Sequence, residues 1–335
     1  MAARKGIVEV ERPTRRPRSK LTSDVELHFC GSLFKMNKVL LASKSSKISK
    51  LLQKNSKDDL SLLIPDTLAD QESMELVDRF CHGFEVALST QNVIRVACLA
   101  HYLGMTDSHW KNNLLSRALL FFEHNIVTSW ENSIKALKSA ESILSHAHQL
   151  GLIDECVESI ISKALENPCL LGEPFKSNSS DDDDDKDDVY RRRKLFDIDL
   201  ESEDLTNLSL RLYTPIVHTM SQRPVPPEYL AANLCRYAST WLFEKIGDDD
   251  DETPSCDTKS RREIVEPVSA LLPHQTDLVP CAFLSEMLKL AIGLDASPGC
   301  KDGLEMRIGK QLDGATVNDL LIPLRGNAKA EKYET

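Results

Sequence analysis

LVPCAFLSEMLKLAIGLDASPGCKDGLEMRIGKQLDGATVNDLLIP, residues 278–323, is the stretch on which the reading of the fold turns. Pro280 suits a helix start, where a missing N–H costs nothing. Phe283, Leu284, Met287, Leu288 and Ala291 then recur at helical spacing. Asp295-Ala-Ser-Pro-Gly is a turn. Leu304, Ile308 and Leu312 form a second apolar stripe. Thr316 with Asp319 reads as a capping pair opening a third short helix, which Pro323 ends. Helices this short and this one-sided bury their apolar faces only by stacking on neighbours, so the spacing predicts packed helical hairpins. The stretch shows no carboxylate pair, metal-ligand cluster or nucleophile with a base.

The same pattern continues upstream. Leu205, Leu208, Leu212, Ile216 and Met220 run at helical spacing, with Pro215 placed to kink that helix. Pro226 and Pro227 open the next one, whose apolar face is Leu230, Leu234, Ala238 and Trp241, and Gly247 ends it. Ile264, Val268 and Leu271 predict another, with Pro267 inside. Residues 108–170 also read as helical. Trp110, Leu114, Ala118 and Phe122 make one face, then Trp130, Ile134 and Leu137, then Ile143, Ala147 and Leu150. Ile153, Val157, Ile160 and Ala164 mark the last helix before Pro168.

The N-terminal part is different. Val25, Leu27 and Phe29 alternate with Glu26 and His28, the pattern of a half-buried strand. Cys30-Gly31-Ser32 turns into a second strand over Leu33 to Met36, so the pair predicts a hairpin. Leu40 and Leu41 begin a short helix, and Ser45 to Leu52 forms another. Leu60 to Ile64 is a third strand ended by Pro65. Met74, Val77, Phe80 and Cys81 mark a helix that Gly83 terminates. A short strand is expected next. Asn92 then caps a helix with a broad apolar face at Val93, Val96, Ala97, Ala100 and Leu103.

Three groups of residues carry a resemblance. LLPHQTDLVPCAFLSEMLKLA (271–291), the AS…C…LE.RIG.QLD.AT..DLLIP pattern from Ala296 to Pro323, and CRYASTWL (235–242) resemble the plant non-phototropic-hypocotyl / root-phototropism family. SDVELHF followed by LFKMNKVLLASKSSKISKLL, and RFCHGFEVALSTQNVIRVACLAHYLGMTD (79–107), look like the opening and close of a BTB/POZ domain as that family writes it. The resemblance implies an α+β BTB/POZ-like domain followed by an all-α domain, mostly α overall. It divides the chain into a basic tail (1–20), the BTB/POZ-like domain (21–107), a helical connector (108–170), an acidic and basic linker (171–194), the helical phototropism-family domain (195–325) and a tail (326–335). The aspartate run reads as an insertion, and the second domain lacks the aromatic-rich opening expected of the family. Family members commonly continue into a longer tail, whereas this sequence stops at Thr335. Tyr333 is the counterpart of a tyrosine often found at the end of the family's domain.

Composition narrows the function. The net charge of -11 argues against general nucleic-acid binding, which needs a basic footprint. No apolar run approaches the roughly 18–20 residues of a membrane span, and no apolar signal-peptide core is seen. The nine cysteines are scattered without a CxxC, as in a reducing compartment, and the sequons at Asn178 and Asn207 are expected to be silent. Residues 1–20 read as a floppy tail, with a membrane-surface or phosphoregulated arm as the alternative. The run SNSSDDDDDKDD cannot bury apolar surface and lacks the glycine and ligand spacing of a calcium loop. Tyr190-Arg-Arg-Arg-Lys194 reads as charge balance against it, or as a localisation or anionic-lipid patch.

Reactive readings are few. Cys98 and His101 sit one turn apart, and Cys81 adjoins His82, but neither has the second pair a metal site needs. Cys281 at a helix start has only the distant His274 as a candidate base. Trp110, Trp130 and Trp241 read as core. No catalytic, cofactor-binding or metal-binding residue is assigned.

BTB domains dimerise, and many dock cullin-3. The resemblance therefore implies a substrate-specific adaptor of a cullin-3 RING ubiquitin ligase in plant light or auxin signalling. Its partners would be the cullin-3 scaffold, itself or another BTB protein, and an unknown protein substrate, with a photoreceptor kinase as one candidate. The alternative is a signalling scaffold without ligase function that binds a membrane-proximal photoreceptor kinase. Either would work in the cytoplasm or at the inner face of the plasma membrane, with the nucleus also open.

Overall fold

The computed structural model describes residues 24–29, 31–54, 60–65, 67–175, 204–243 and 255–317. The chain divides into two compact units. One is Met1–Ala87 with Leu99–Arg117; the other is Leu88–Cys98 with Ala118–Thr335.

The first unit is built on a three-stranded sheet. β1 (Asp24–Phe29) and β2 (Ser32–Asn37) form an antiparallel hairpin, and β3 (Leu60–Leu63) pairs in parallel with the other side of β1, giving the order β2-β1-β3. The alternation along β1 decides its faces: Val25, Leu27 and Phe29 are buried. Glu26, on the opposite face, pairs at 2.8 Å with Lys35, its register partner on β2. Gly31 makes the hairpin turn at φ 69°, where a glycine pays no Cβ penalty.

A parallel return from β1 to β3 needs a crossover. α1 (Lys38–Lys44) and α2 (Ser46–Lys54) supply it, burying Leu41 and Ile48. Asn37 Oδ1 caps α1 by accepting the Val39 and Leu40 N–H groups. α3 (Gln71–Cys81) opens with a capping box between Asp70 and Ser73. It closes on a Schellman pair: Phe84 N–H donates to Arg79 O and Gly83 N–H to Phe80 O, with Gly83 at φ 80°.

The short strand expected after α3 is not formed: residues 84–89 carry no ladder. Their hydrogen bonds go elsewhere. Phe84 closes α3, Glu85 O accepts the Arg79 guanidinium, and Ser89 N–H donates to Asn92 Oδ1. α4 (Val93–Leu103) follows and ends at Gly104, φ 67°.

α5 (Leu114–Phe121) leads into a wide turn of π type, Phe122–Ile126. In the second unit, Ser129 caps α6 (Trp130–Ser139), which lies against α8 (Leu152–Glu166); α7 (Leu144–Gln149) connects them. Ser133 and Ser159 meet at 3.2 Å inside the α6–α8 contact. α9 (Leu210–Ser221) and α10 (Pro227–Ala238) follow, then a second π-type turn, Ser239–Phe243. α11 (Ser255–Leu271), α12 (Cys281–Gly293) and α13 (Pro298–Gly309) pack on one another. Phe283, Leu284, Met287, Leu288 and Ala291 of α12 are all buried. Burial is worth about 2 kcal/mol for each large apolar side chain. Pro215 and Pro267 both lie within their helices.

The N-terminal unit is therefore α+β, and the described remainder is helical. Three local expectations need correction. Trp110 is 48% exposed, because it lies in the turn ahead of α5. Leu312 is 52% exposed, because α13 ends at Gly309 and a short 3-10 turn swings Leu312 off the stripe. In α11 the fully buried apolar positions among the described residues are Val265 and Val268, with Leu272 just beyond the helix, whereas Ile264 and Leu271 are only partly covered. The basic tail, the aspartate run, Tyr190–Lys194, Asp319, Pro323 and Tyr333 lie outside the described residues.

Candidate functional site

In the first unit, the α1–α2 junction is locked to the end of α4 and the turn behind it. Ser45 Oγ donates to Leu103 O, and Ser46 N–H donates to Gly104 O at 3.1 Å. His109 Nε2 lies 3.0 Å from Ala42 O, and Asn113 Nδ2 donates to Lys44 O at 2.9 Å. The terminal carbonyls of α1, which the helix itself cannot satisfy, thus find partners about 60 to 70 residues away in sequence. Asn113 also spans the turn, donating to Thr106 O while its N–H donates to Asp107 Oδ1. The backbone N–H of Asn113, followed by the Ser116 hydroxyl, holds the Asp107 carboxyl below the usual carboxylate range.

This frame presents side chains outward. Lys44 Nζ lies 3.2 Å from the centroid of the Trp110 ring and 5.8 Å from that of Phe80. Arg117 lies over Phe80 at 5.2 Å, Arg79 over Phe84 at 5.9 Å, and Lys47 over Tyr102 at 3.2 Å. Phe84 is 60% exposed. Among the described residues β2 lies at the edge of the sheet, paired with β1. Leu33 on it and Val39 just after it are exposed, the latter by 74%. An open edge beside exposed aliphatic side chains is a surface suited to protein contact.

In the second unit a set of buried polar groups holds helices and turns together. The CRYASTWL segment binds two distant segments to α10. Tyr237 stacks on Tyr213, and its hydroxyl donates to Leu208 O at 3.3 Å. Trp241 Nε1 donates to Thr206 O at 2.7 Å. Arg236 pairs at 3.0 Å with Asp204, which is 6% exposed. Asn233 accepts the Tyr213 hydroxyl and donates to Leu171 O, both at 2.9 Å. Burial pushes the Asp204 carboxyl above its usual range, against the opposing pull of Arg236 and the Leu205 N–H. It also raises the Tyr213 phenol. The alternation of small and aromatic residues in the motif is thus a packing and hydrogen-bonding device.

The LLPHQTDLVP loop is held from α13. Arg307 donates to Leu272 O at 2.9 Å and to Pro273 O at 3.3 Å. Gln311 accepts the Asp277 N–H and donates to Val279 O. His274, Gln275, Thr276 and Asp277 stay exposed at the tip, and the first three border a shallow depression with Lys310. Glu266 of α11 accepts the Ser297 N–H at 2.7 Å, and with Arg262 this holds its carboxyl below the usual range.

The cysteines read as possible ligands or nucleophiles are buried. Burial pushes the thiols of Cys81 and Cys98 up to about 12, the opposite of what a reactive thiolate needs. His101 is exposed whereas Cys98 is buried. His82 Nδ1 faces Asp78 instead. Cys281 is buried at the start of α12 and His274 is exposed at the loop tip. Among the described residues no three His, Cys, Asp or Glu side chains are grouped to hold a metal ion. No helix among them is long and apolar enough to cross a membrane. Sequence reasoning missed Asn113, Asn233, Asp204 and Gln311, whose only signal was a polar residue next to or inside an apolar stripe.

Two family descriptions match the chain: the BTB/POZ domain over residues 15–115 and the NPH3 family over residues 199–335. The chain is 41% identical to the BTB/POZ domain-containing protein At5g17580 of Arabidopsis thaliana, over 93% of this chain and 55% of that protein. It is 36% identical to the BTB/POZ domain-containing protein At3g03510 of the same plant, over 91% of this chain and 53% of that one. Its identity to Arabidopsis root phototropism protein 2 is 28%, over 90% and 49%. The chain spans about half the length of these curated relatives.

Proposed function

The chain belongs to the NPH3 family, with a BTB/POZ domain ahead of the family's helical domain, and on that premise we propose that it is a substrate-specific adaptor of a cullin-3 RING ubiquitin ligase. The reading rests on one observation: a BTB/POZ unit whose β2 lies at the edge of the described sheet, with Leu33 and Val39 exposed, shares a chain with a helical unit that the Tyr213, Asn233 and Leu171 O hydrogen bonds tie together. The first unit dimerises and docks the scaffold. The second holds the protein to be modified. The chain makes and breaks no bond, and ubiquitin transfer takes place on the associated enzymes. Its contribution is effective concentration: substrate and ligase are held on one tether, so that transfer becomes an intramolecular event. Its working place is the cytoplasm, including the inner face of the plasma membrane, in light or auxin signalling.

The test is a pull-down of the full chain with the purified N-terminal region of cullin-3. Retention is expected. No binding at about tens of micromolar would leave at most about 6 kcal/mol for the contact and would remove the ligase reading. A kinase captured with unchanged turnover would favour the scaffold reading instead.

A further inference from the structure

A charge asymmetry marks α1 and α2 among the helices of the chain. Between Glu26 and Asp58 there is no aspartate or glutamate, but there are seven lysines: 35, 38, 44, 47, 50, 54 and 57. The chain as a whole carries a net charge of -11, so this is a local excess against the general sign. Lys47, Lys50 and Lys54 are spaced to share one face of α2, while Ile48 is buried on the other. Lys50 and Lys54 are exposed, and Lys44 and Lys47 half-buried. None of these four forms an ion pair among the described residues. The nearby acids of the unit are engaged or lie on α3: Asp107 accepts the Asn113 N–H, Asp78 faces His82, and Glu75 accepts from Gln71.

We propose that the lysine face of α1 and α2, formed by Lys44, Lys47, Lys50 and Lys54, is a docking surface for an extended acidic segment of a partner protein. Two of the ammonium groups are positioned before any partner arrives, Lys44 over Trp110 and Lys47 over Tyr102, each 3.2 Å from the ring centroid. Holding them there lowers the entropy lost when a carboxylate is met. Lys47 to Lys54 spans about 10 Å of helix, which an extended segment of roughly four residues covers. A lipid surface fits less well: α2 has no exposed large hydrophobe among its described side chains and α1 has Val39 alone, whereas a helix seated in a lipid interface needs an apolar face to insert. A nucleic acid would meet the negative charge of the whole chain. The proposal does not depend on cullin binding, and its test does not involve cullin.

The test is fluorescence anisotropy of a labelled oligoglutamate peptide with the full chain. A companion chain with the aspartates of 181–188 changed to Asn is run beside it, so that this acidic run cannot compete unseen. Binding is expected at about 0.05 M salt and should fade by about 0.5 M, as screening shortens the reach of exposed charges. Lys44→Gln, Lys47→Gln, Lys50→Gln and Lys54→Gln together should weaken it roughly tenfold or more, and the four Lys→Arg changes should keep it. Lys50→Gln with Lys54→Gln alone, at exposed positions, should give part of the loss if the fourfold variant folds poorly. No binding to either chain, binding indifferent to salt, or binding untouched by the lysine changes would each overturn the proposal. So would retention on phosphatidylserine vesicles without any affinity for the peptide.

Discussion

The rings of Tyr213 and Tyr237 lie face to face, with centroids 3.7 Å apart and planes 12° from parallel. Both are fully buried, and their hydroxyls leave in different directions, one to Asn233 and the other to Leu208 O. Asn233 passes the connection on to Leu171 O, so a single side chain joins α9, α10 and the 3-10 turn before Gly172. Replacing Asn233 by Leu would strand a buried hydroxyl and a buried carbonyl. We expect a loss of about 2–4 kcal/mol, read as a lower midpoint in urea. Tyr213→Phe removes only one donor and should cost about 1 kcal/mol.

Gly104 and Gly83 test how far a glycine serves conformation and how far it serves space. Both have positive φ, at 67° and 80°. A Cβ at Gly83 meets nothing within 4 Å, whereas at Gly104 it would collide with Ser46 Oγ and crowd Lys47 N at 3.3 Å. Gly83→Ala should cost about 1 kcal/mol from backbone strain alone. Gly104→Ala should cost clearly more, because the α1–α2 junction must move. Equal losses in thermal melts would contradict this account.

Asp204 should leave a signature in pH. Burial raises its folded-state pKa above the value in the unfolded chain. The folded state therefore binds the proton more readily, so this site's stabilisation is fully present below the unfolded pKa and is lost as pH rises through the folded one. Relative to Asp204→Asn, the natural chain should gain stability as pH falls from neutral into that window. Glu266 has the opposite sign, since its pKa is lowered, and its small contribution should be lost as pH falls. Urea midpoints across pH for the natural chain, Asp204→Asn and Glu266→Gln separate the two.

Cysteine reactivity should follow burial. Of the seven described cysteines only Cys169 is exposed. The thiols of Cys81, Cys98 and Cys156 are pushed up to about 12 by burial. Alkylation at about pH 8, mapped by mass spectrometry, should label Cys169 first among the seven and the others only in denaturant. Cys281→Ala should leave every partner interaction intact.

The dimer expected of the BTB/POZ unit can be weakened at its open edge. Leu33→Asp with Val39→Asp replaces two exposed aliphatic groups and should lower the light-scattering mass of the full chain toward that of one chain, with little change in melting temperature. An unchanged mass would place the dimer contact elsewhere on the unit.

Much of the molecule was legible in the order of its residues. Alternation along Val25, Leu27 and Phe29 identified a strand with one buried face, and the stripe from Phe283 to Ala291 identified a helix packed on its neighbours. Such periodicity works because side-chain direction repeats every two residues in a strand and about every 3.6 in a helix. It cannot say who the neighbours are. The parallel pairing of β1 with β3, the capture of Lys44 O by Asn113 and the hold of Gln311 on the LLPHQTDLVP loop join positions about 30 to 70 residues apart. The same limit explains Trp110: four residues before Leu114 it looks like the next step of a stripe, but α5 begins only at Leu114. Local steric preference writes the elements into the chain, while the pairing of distant polar groups is settled only when burial leaves each donor and acceptor one place to go.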